Sequence, residues 1–430
     1  MEFIADLHIH SKYARATSAQ MELANIDAMA AKKGIKIIST GDFTHPVWFK
    51  NLKTNLEEAE RGLYRVKGSS TQTRFVLGVE IATVHSAQTK RESKVRKVHH
   101  VVLAPGLEEA AQINDELGKR CDLSIDGRPI VGISPAELVE IVKGVSAEAV
   151  VFPAHAWTPW YGVFGSVSGY DSMKEAYDDQ ERNIPALETG LSSDPPMNWR
   201  VSALDKYALV STSDAHSLQK IGREATVFEI EEEKLSFKAI ASAIACKSIK
   251  YTIEFYPEEG KYHYDGHRKC GVSLSPEESE KYNNICPVCG KPLTLGVLHR
   301  VCDMADRPAG YLPKGSAPFV HAVPLIEVIS KTMGKAEAAE AVQREYSLLV
   351  SKFGSEFNVL LNASIDEISR IDAGVARAIK SIRNDKVYVE PGYDGVFGIV
   401  KLTESNGREQ HAGSSMAQKT IGDFKSEKHV

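Results

Sequence analysis

Two histidines one residue apart give the chain its first sign of chemistry: "DLHIH", Asp6 to His10, follows an apolar run, Phe3, Ile4 and Ala5, that reads as a β-strand. Side chains alternate at period two along a strand, so His8 and His10 point the same way and two imidazoles converge where a cation could sit. A lone pair fits two solvated histidines equally well, and other ligand-bearing strand ends must decide. The chain supplies them: Asp42 and His45 in "TGDFTHP", Glu80 in "GVE", His99 and His100 in "VHHVVLAP", His155 in "FPAHAW", Glu188 in "ALETG", and Asp214 and His216 in "STSDAH". Imidazoles and carboxylates in this number suit two or three divalent cations, Zn²⁺, Mg²⁺ or Mn²⁺, with Glu80 or Asp214 able to bridge them.

Such residues act together only if the elements that carry them end in one place. Short β-branched runs recur at Phe3 to Leu7, Ile35 to Ser39, Phe75 to Ile81, Val98 to Leu103, Ala149 to Pro153, Ala186 to Glu188 and Ala208 to Ser211. Helix-like stretches alternate with them, among them "MELANIDAMAAKKG", ending in Gly34, and "SPAELVEIVKG", with Ser134 and Pro135 as N-cap and first helical residue. Repeated βα units imply an α/β fold with a parallel sheet or barrel, whose strand ends share one rim.

The composition is that of a globular chain, 43% hydrophobic and 25% charged over 430 residues, long enough for a large first domain and smaller ones after it. A net charge of -5 gives no overall basic field, which leaves only a local basic face for nucleic acid. Without a long apolar stretch or a signal-peptide pattern, the expectation is a soluble, cytoplasmic protein with no membrane contact. The cysteines cluster late in the chain, which favours metal over disulfides. "HRKCGVSL" and "CPVCGKPL" repeat the pattern ligand-x-x-Cys-Gly-x-x-Leu, so His267, Cys270, Cys286 and Cys289 make a zinc ribbon with a closed structural site. His263, His299 and Cys302 compete for the fourth position; His267 alone gives the repeated spacing.

The set HxH, GDFTH, GxE, HH, PAH and SDAH resembles the PHP (polymerase and histidinol phosphatase) family, a distorted seven-stranded barrel that hydrolyses phosphoesters at a multinuclear metal centre. By that resemblance residues 1–252 form the barrel, with His8, His10, Glu80, His99 or His100, His155, Asp214 and His216 as ligands; catalysis is expected to depend on Asp214, His155 and Glu80. Two places depart from the family pattern: "KYARAT" stands where a third histidine is usual, and Phe43 follows Asp42. Asp42 or His45 is the expected substitute ligand there. The zinc ribbon then occupies residues 253–303, an α+β, mostly helical, DNA-contacting domain residues 304–403, and a polar tail residues 404–430. The order of parts, barrel, "YHYDGHRKCG", "CPVCGKPLTLGVLHRV", "ADRPAGY", "VQREYSLLVSKFGSEFNVLL" and "EPGYDGVFG", resembles the endonuclease Q family over nearly the whole chain. That resemblance implies cleavage of damaged DNA on the 5′ side of deaminated bases (uracil, hypoxanthine, xanthine) and at abasic sites.

Around the rim, Trp157, Trp160 and Tyr161 in "WTPWYGVFGSVSG" offer aromatic faces for stacking on DNA, and "KRESKVRK" offers Lys90, Arg91, Lys94, Arg96 and Lys97 for phosphates. In the tail, Gln418, Ile421 and Phe424 have the Q-x-x-I-x-x-F spacing of motifs that dock on a sliding clamp (PCNA), with Lys425 in place of a second aromatic. Two rival readings are a small-molecule phosphatase of the histidinol-phosphate kind, which leaves the ribbon without purpose, and a non-catalytic nucleic-acid-binding protein, against which Glu80, His155 and "SDAH" count.

Overall fold

The computed structural model describes residues 1–88 and 93–402, so Lys90, Arg91 and the tail residues Gln418, Ile421 and Phe424 lie outside the described residues. Its strands are β1 (Glu2–Asp6), β2 (Ile35–Ser39), β3 (Leu56–Glu60), β4 (Leu63–Val66), β5 (Arg74–Gln88), β6 (Ser93–Ala104), β7 (Ile130–Val131), β8 (Val150–Pro153), β9 (Ala186–Glu188), β10 (Ala208–Val210), β11 (Ala225–Glu229), β12 (Ile249–Glu254), β13 (Asp265–His267), β14 (Val272–Leu274), β15 (Phe319–His321), β16 (Tyr388–Glu390) and β17 (Ile399–Lys401).

Eleven strands join in one sheet, in the order β15-β12-β11-β1-β2-β5-β4-β3, with β6 and β7 also on β5 and β8 on β6. The sheet curls back on itself. Ala156 N past β8 donates to Glu188 O at the end of β9, Thr189 N to Val210 O of β10, and Ser211 N to Thr226 Oγ1 of β11. Alternate residues such as Phe3, Ile37, Val76, Val101, Phe152, Val210 and Phe228 meet in one buried cluster, so their strands surround it.

The sequence reading is corrected on two points of topology. The sheet is mixed rather than parallel: β1–β2 and β2–β5 are parallel, whereas β5–β6, β6–β8 and β1–β11 are antiparallel. β5 ends at Gln88 and β6 begins at Ser93, a separation too short for the crossover that a parallel pair needs, so the two run antiparallel. The eleven-stranded sheet also holds only five of the seven expected strands, β1, β2, β5, β6 and β8, to which β3, β4, β7, β11, β12 and, from far along the chain, β15 add themselves, while β9 and β10 pair parallel in a sheet of their own.

Local chemistry sets the helix ends. Ser134 Oγ accepts from Glu137 N at 3.2 Å and Glu137 Oε2 accepts from Ser134 N at 2.7 Å, a capping box in front of Pro135–Val145. Helix Leu23–Lys33 stops at Gly34, whose φ of 88° suits glycine. Helices Leu325–Met333, Glu340–Phe353 and Ala373–Arg383 bury Val342, Tyr346, Leu349 and Ile379 in a core continuous with the outer layer of the barrel. Lys33 and Glu356, both buried, pair across that junction at 3.4 Å.

His321 of β15 is a second tie. Its Nδ1 lies 3.2 Å from Asp385 of the helical unit, its Nε2 lies 3.6 Å from Asp194 of the barrel, and its ring stacks on Tyr256. Burial pulls the imidazole down, but the two carboxylates outweigh it and lift it from 6.5 to about 10. A raised value stabilises the fold fully below pH about 6.5, and the contribution drains away as pH rises through about 10. Replacing His321 by Gln is therefore expected to cost about 2–3 kcal/mol near pH 7 in urea unfolding, with the gap to wild type closing by pH 10. A gap independent of pH would contradict the charged pairing.

Candidate metal centre

The rim at the strand ends gathers a buried cluster. His8, His10, Glu80 and Asp214 offer donor atoms that all lie within 4.8 Å of one another, and Glu80, His99 and His155 do the same, so Glu80 belongs to both groups. Its Oε1 lies 2.6 Å from His99 Nδ1 and 3.0 Å from His155 Nε2; its Oε2 lies 3.4 Å from His10 Nε2 and 3.1 Å from Arg128 Nη1. Asp214 Oδ1 is 3.0 Å from His10 Nε2 and 3.6 Å from His8 Nε2.

A second layer aims these rings. His8 Nδ1 meets Glu188 Oε1 at 2.9 Å, and Glu188 also accepts from Thr212 Oγ1 and His155 N. His10 Nδ1 meets Asp42 Oδ1 at 3.0 Å, while Asp42 Oδ2 accepts from Ser11 N and Oγ at 2.6 Å. His155 Nδ1 meets Thr158 Oγ1 at 2.8 Å. An imidazole whose outer nitrogen is engaged presents the other one inward, which is the geometry of a metal-binding histidine.

Backbone strain accompanies this placement. Asp42, His155 and Asp214 have φ of 50°, 30° and 46°, values that non-glycine residues adopt reluctantly. Gly190 makes room for one of them, since a Cβ there would stand 2.7 Å from His155 Cα.

The residues present fit a divalent cation. His8 Nε2 is buried with no hydrogen-bond partner among the described residues, facing two carboxylates, and the donors are imidazole nitrogens and carboxylate oxygens throughout. Without a cation, protons balance the charge: burial opposes it, but Glu188, Asp214 and Glu80 raise His8 to about 9, and the carboxylates around His10 hold it well above its usual range. Burial pushes Glu80 up, yet His99, His10 and His155 keep it well below the usual carboxylate range.

Other residues expected at the site fall elsewhere. His100, adjacent to His99 and therefore on the opposite face of β6, is buried edge-on to Tyr177 with neither ring nitrogen bonded among the described residues, and burial lowers it to about 3. His99 is thus the member of the pair that reaches Glu80. Neither Asp42 nor His45 replaces a missing ligand in these groups: Asp42 stands behind His10, and His45 stacks on Tyr13 at 4.4 Å. His216 lies beside the cluster, its ring 4.5 Å from that of His10 and its Nδ1 donating to Asp214 O. Trp157 is corrected from DNA contact to core, 1% exposed, with Nε1 donating to Asn198 Oδ1. Arg96 is likewise buried, bound to Gly169 O and Glu175. Trp160 is 45% exposed and edge-on to Tyr262, Tyr161 lies 4.2 Å from the His99 ring, and Lys94 is exposed. Lys97, half-buried, sits over the Tyr161 ring. Arg128 and Asp6, which binds Ser213 and Gly222 under the rim, carried no signal in spacing or periodicity.

The cysteine cluster forms a separate site. Donor atoms of His267, Cys270, Cys286 and Cys289 all lie within 4.8 Å of one another, and the glycine after each Cys-containing turn, Gly271 and Gly290, has φ of 64° and 70°. Desolvation opposes ionisation, but backbone N–H groups of Cys289 and Val288 draw the Cys286 thiol down to about 6, while desolvation and the neighbouring thiols hold Cys270 at about 11. The competitors are engaged elsewhere: His299 with Asp265, Cys302 with Arg200, and His263 against Tyr264.

Most of the chain superposes on two solved structures. One is the lesion-specific endonuclease of Pyrococcus furiosus, TM-score 0.82 and 31% identity, over 93% of this chain and 95% of that one. The chain belongs to the endonuclease Q family. The other structure is endonuclease Q with a 27-mer duplex substrate carrying an abasic lesion at its active site, TM-score 0.81 and 30% identity, over 94% and 97% of the two chains. Among further relatives of this endonuclease Q family member, YqxK of Bacillus subtilis is 28% identical over 420 residues, 92% of this chain and 98% of its own. The protein MJ0043 of Methanocaldococcus jannaschii is 35% identical over 255 residues, 58% of this chain, which spans 31% of that longer relative. Residues 324–386 match the MJ0043 C-terminal domain family. No helix among the described residues is long and apolar enough to cross a membrane.

Cys286→Ser is expected to remove about one equivalent of zinc and lower the melting temperature while leaving any metal bound at the Glu80 cluster in place, because the two donor sets share no residue. Elemental analysis with a thermal melt reads this directly; unchanged zinc stoichiometry would reject the cysteine site.

Proposed function

We propose that this chain is a metal-dependent DNA endonuclease that hydrolyses the phosphodiester on the 5′ side of deaminated bases (uracil, hypoxanthine and xanthine) and of abasic sites. The observation that carries the reading is the pair of imidazole and carboxylate groups sharing Glu80, in a chain superposing over 94% of its length on an endonuclease Q held with an abasic duplex. His8, His10, Glu80, His99, His155 and Asp214 would hold the barrel cations, with His216 beside them. Two or three Zn²⁺, Mg²⁺ or Mn²⁺ ions there would acidify a water and neutralise charge on the phosphate.

The chain's own residues supply the rest. Glu188, Asp42 and Thr158 fix the imidazoles, so no reorganisation is needed when the phosphate arrives. Trp160 and Tyr161 stand on the rim as stacking faces for bases beside the lesion, and Lys94 and Lys97 as phosphate contacts, to which Arg91 adds a further charge in sequence. His267, Cys270, Cys286 and Cys289 hold a structural zinc in this reading, and the spacing of Gln418, Ile421 and Phe424 gives the tail a docking motif for a sliding clamp.

Labelled duplexes containing uracil, hypoxanthine or an abasic site, incubated with and without divalent metal, test the proposal by the position of the nick. Asp214→Ala and His155→Ala are expected to reduce nicking on the order of 10³-fold while duplex affinity changes little, since these side chains serve the chemistry rather than the docking. Wild-type activity in either variant, or equal cutting of undamaged duplex, would contradict the proposal.

A further inference from the structure

Arg128 is the one Lys or Arg side chain among the described residues that is ion-paired with the clustered carboxylates. Its partner, Glu80, has a side chain with 0% exposure, whereas that of Arg128 is 23% exposed. The guanidinium therefore reaches from the buried carboxylate to the open rim. It makes one side-chain hydrogen bond among the described residues, Nη1 to Glu80 Oε2, so most of its five N–H donors are uncommitted.

The loop that carries it is firmly mounted. Gly127 N donates to Tyr13 O at 3.0 Å, Asp126 Oδ1 accepts from both Arg15 N and Arg128 N at 3.1 Å, and Ala82 N of β5 donates to Pro129 O at 2.9 Å. A Cβ on Gly127 would stand 2.6 Å from the Asp42 carboxyl carbon, which presses the loop against the group that orients His10. Pairing with Glu80 alone would need a single donor. A rigidly held planar fork with free donors facing a rim of anionic and imidazole ligands is suited to an anion arriving from solvent.

We infer that Arg128 is a further catalytic residue: its guanidinium donates to a non-bridging oxygen of the scissile phosphate and stabilises the charge that builds there during hydrolysis. This rests on the proposed endonuclease reading. Phosphate oxygens match the spacing of the guanidinium fork, and a donor fixed in place before the reaction acts most strongly in a poorly hydrated site.

The test compares wild type, Arg128→Lys and Arg128→Ala on a duplex with one abasic site, whose 5′ linkage is either a normal phosphodiester or an uncharged methylphosphonate. Arg128→Ala is expected to slow single-turnover nicking of the normal linkage about 10²- to 10³-fold, with bound metal and duplex affinity unchanged and Arg128→Lys in between. The methylphosphonate should then slow wild type by a larger factor than Arg128→Ala, because both changes remove the same contact. Equal factors, an undiminished Arg128→Ala, or a loss restored by raising the metal concentration would overturn the assignment; the last would make Arg128 only a support for Glu80. If Arg128→Ala does not fold, the same comparison of linkages between wild type and Arg128→Lys decides. Wild type that nicks no lesion duplex with Mg²⁺, Mn²⁺ or Zn²⁺ would instead overturn the endonuclease reading itself.

Discussion

A carboxylate with no exposed surface, Glu80, sits among four imidazoles, those of His8, His10, His99 and His155, and a guanidinium, and the site is built around keeping it ionised. Burial alone would drive it to the neutral form; its surroundings hold it well below the usual carboxylate range instead. Removing one partner would leave a buried charge uncompensated, a cost larger than that of most surface pairs. The fold must therefore deliver β1, β5, β6, β8 and the loop before β7 to one point. A sheet that curls back on itself does so, because its strand ends share a rim.

The cluster draws on a second layer almost as extensive as the first. Glu188 and Asp42 each take several donors, and Asp6 ties the end of β1 to Ser213 and Gly222 beneath. Positive φ at Asp42, His155 and Asp214 stores local strain that these bonds hold in place. The compensation between imidazole and carboxylate protons is also what a cation would displace on binding, which couples metal affinity to pH.

Much of this was legible in the sequence, for identifiable reasons. Ligand types recur at strand ends, and both the zinc pattern and the capping box at Ser134 rest on local spacing, which sequence reports directly. What failed depended on long-range packing. β1 stops at Asp6, before both histidines, and past its end Leu7 stays in the core cluster of Phe3 and Ala5 while Ile9 joins the other, yet His8 and His10 still converge. Adjacent His99 and His100 could not be told apart until the face of β6 was known. Trp157 and Arg96 carried the right chemistry for DNA but are consumed by the core, and Arg128 stood in a loop with no periodic signal. β15 lies in the stretch 304–403 read as a further unit, and its pairing with β12, far upstream, is a long-range contact that local spacing does not report.

The central claim, that Glu80 joins two cation sites, is tested most directly by anomalous diffraction from crystals grown with Mn²⁺. The account requires one peak bounded by His8, His10, Glu80 and Asp214 and another bounded by Glu80, His99 and His155, both at coordination distance from the Glu80 carboxylate. A barrel with no anomalous density, or with cations bound away from Glu80, would contradict it.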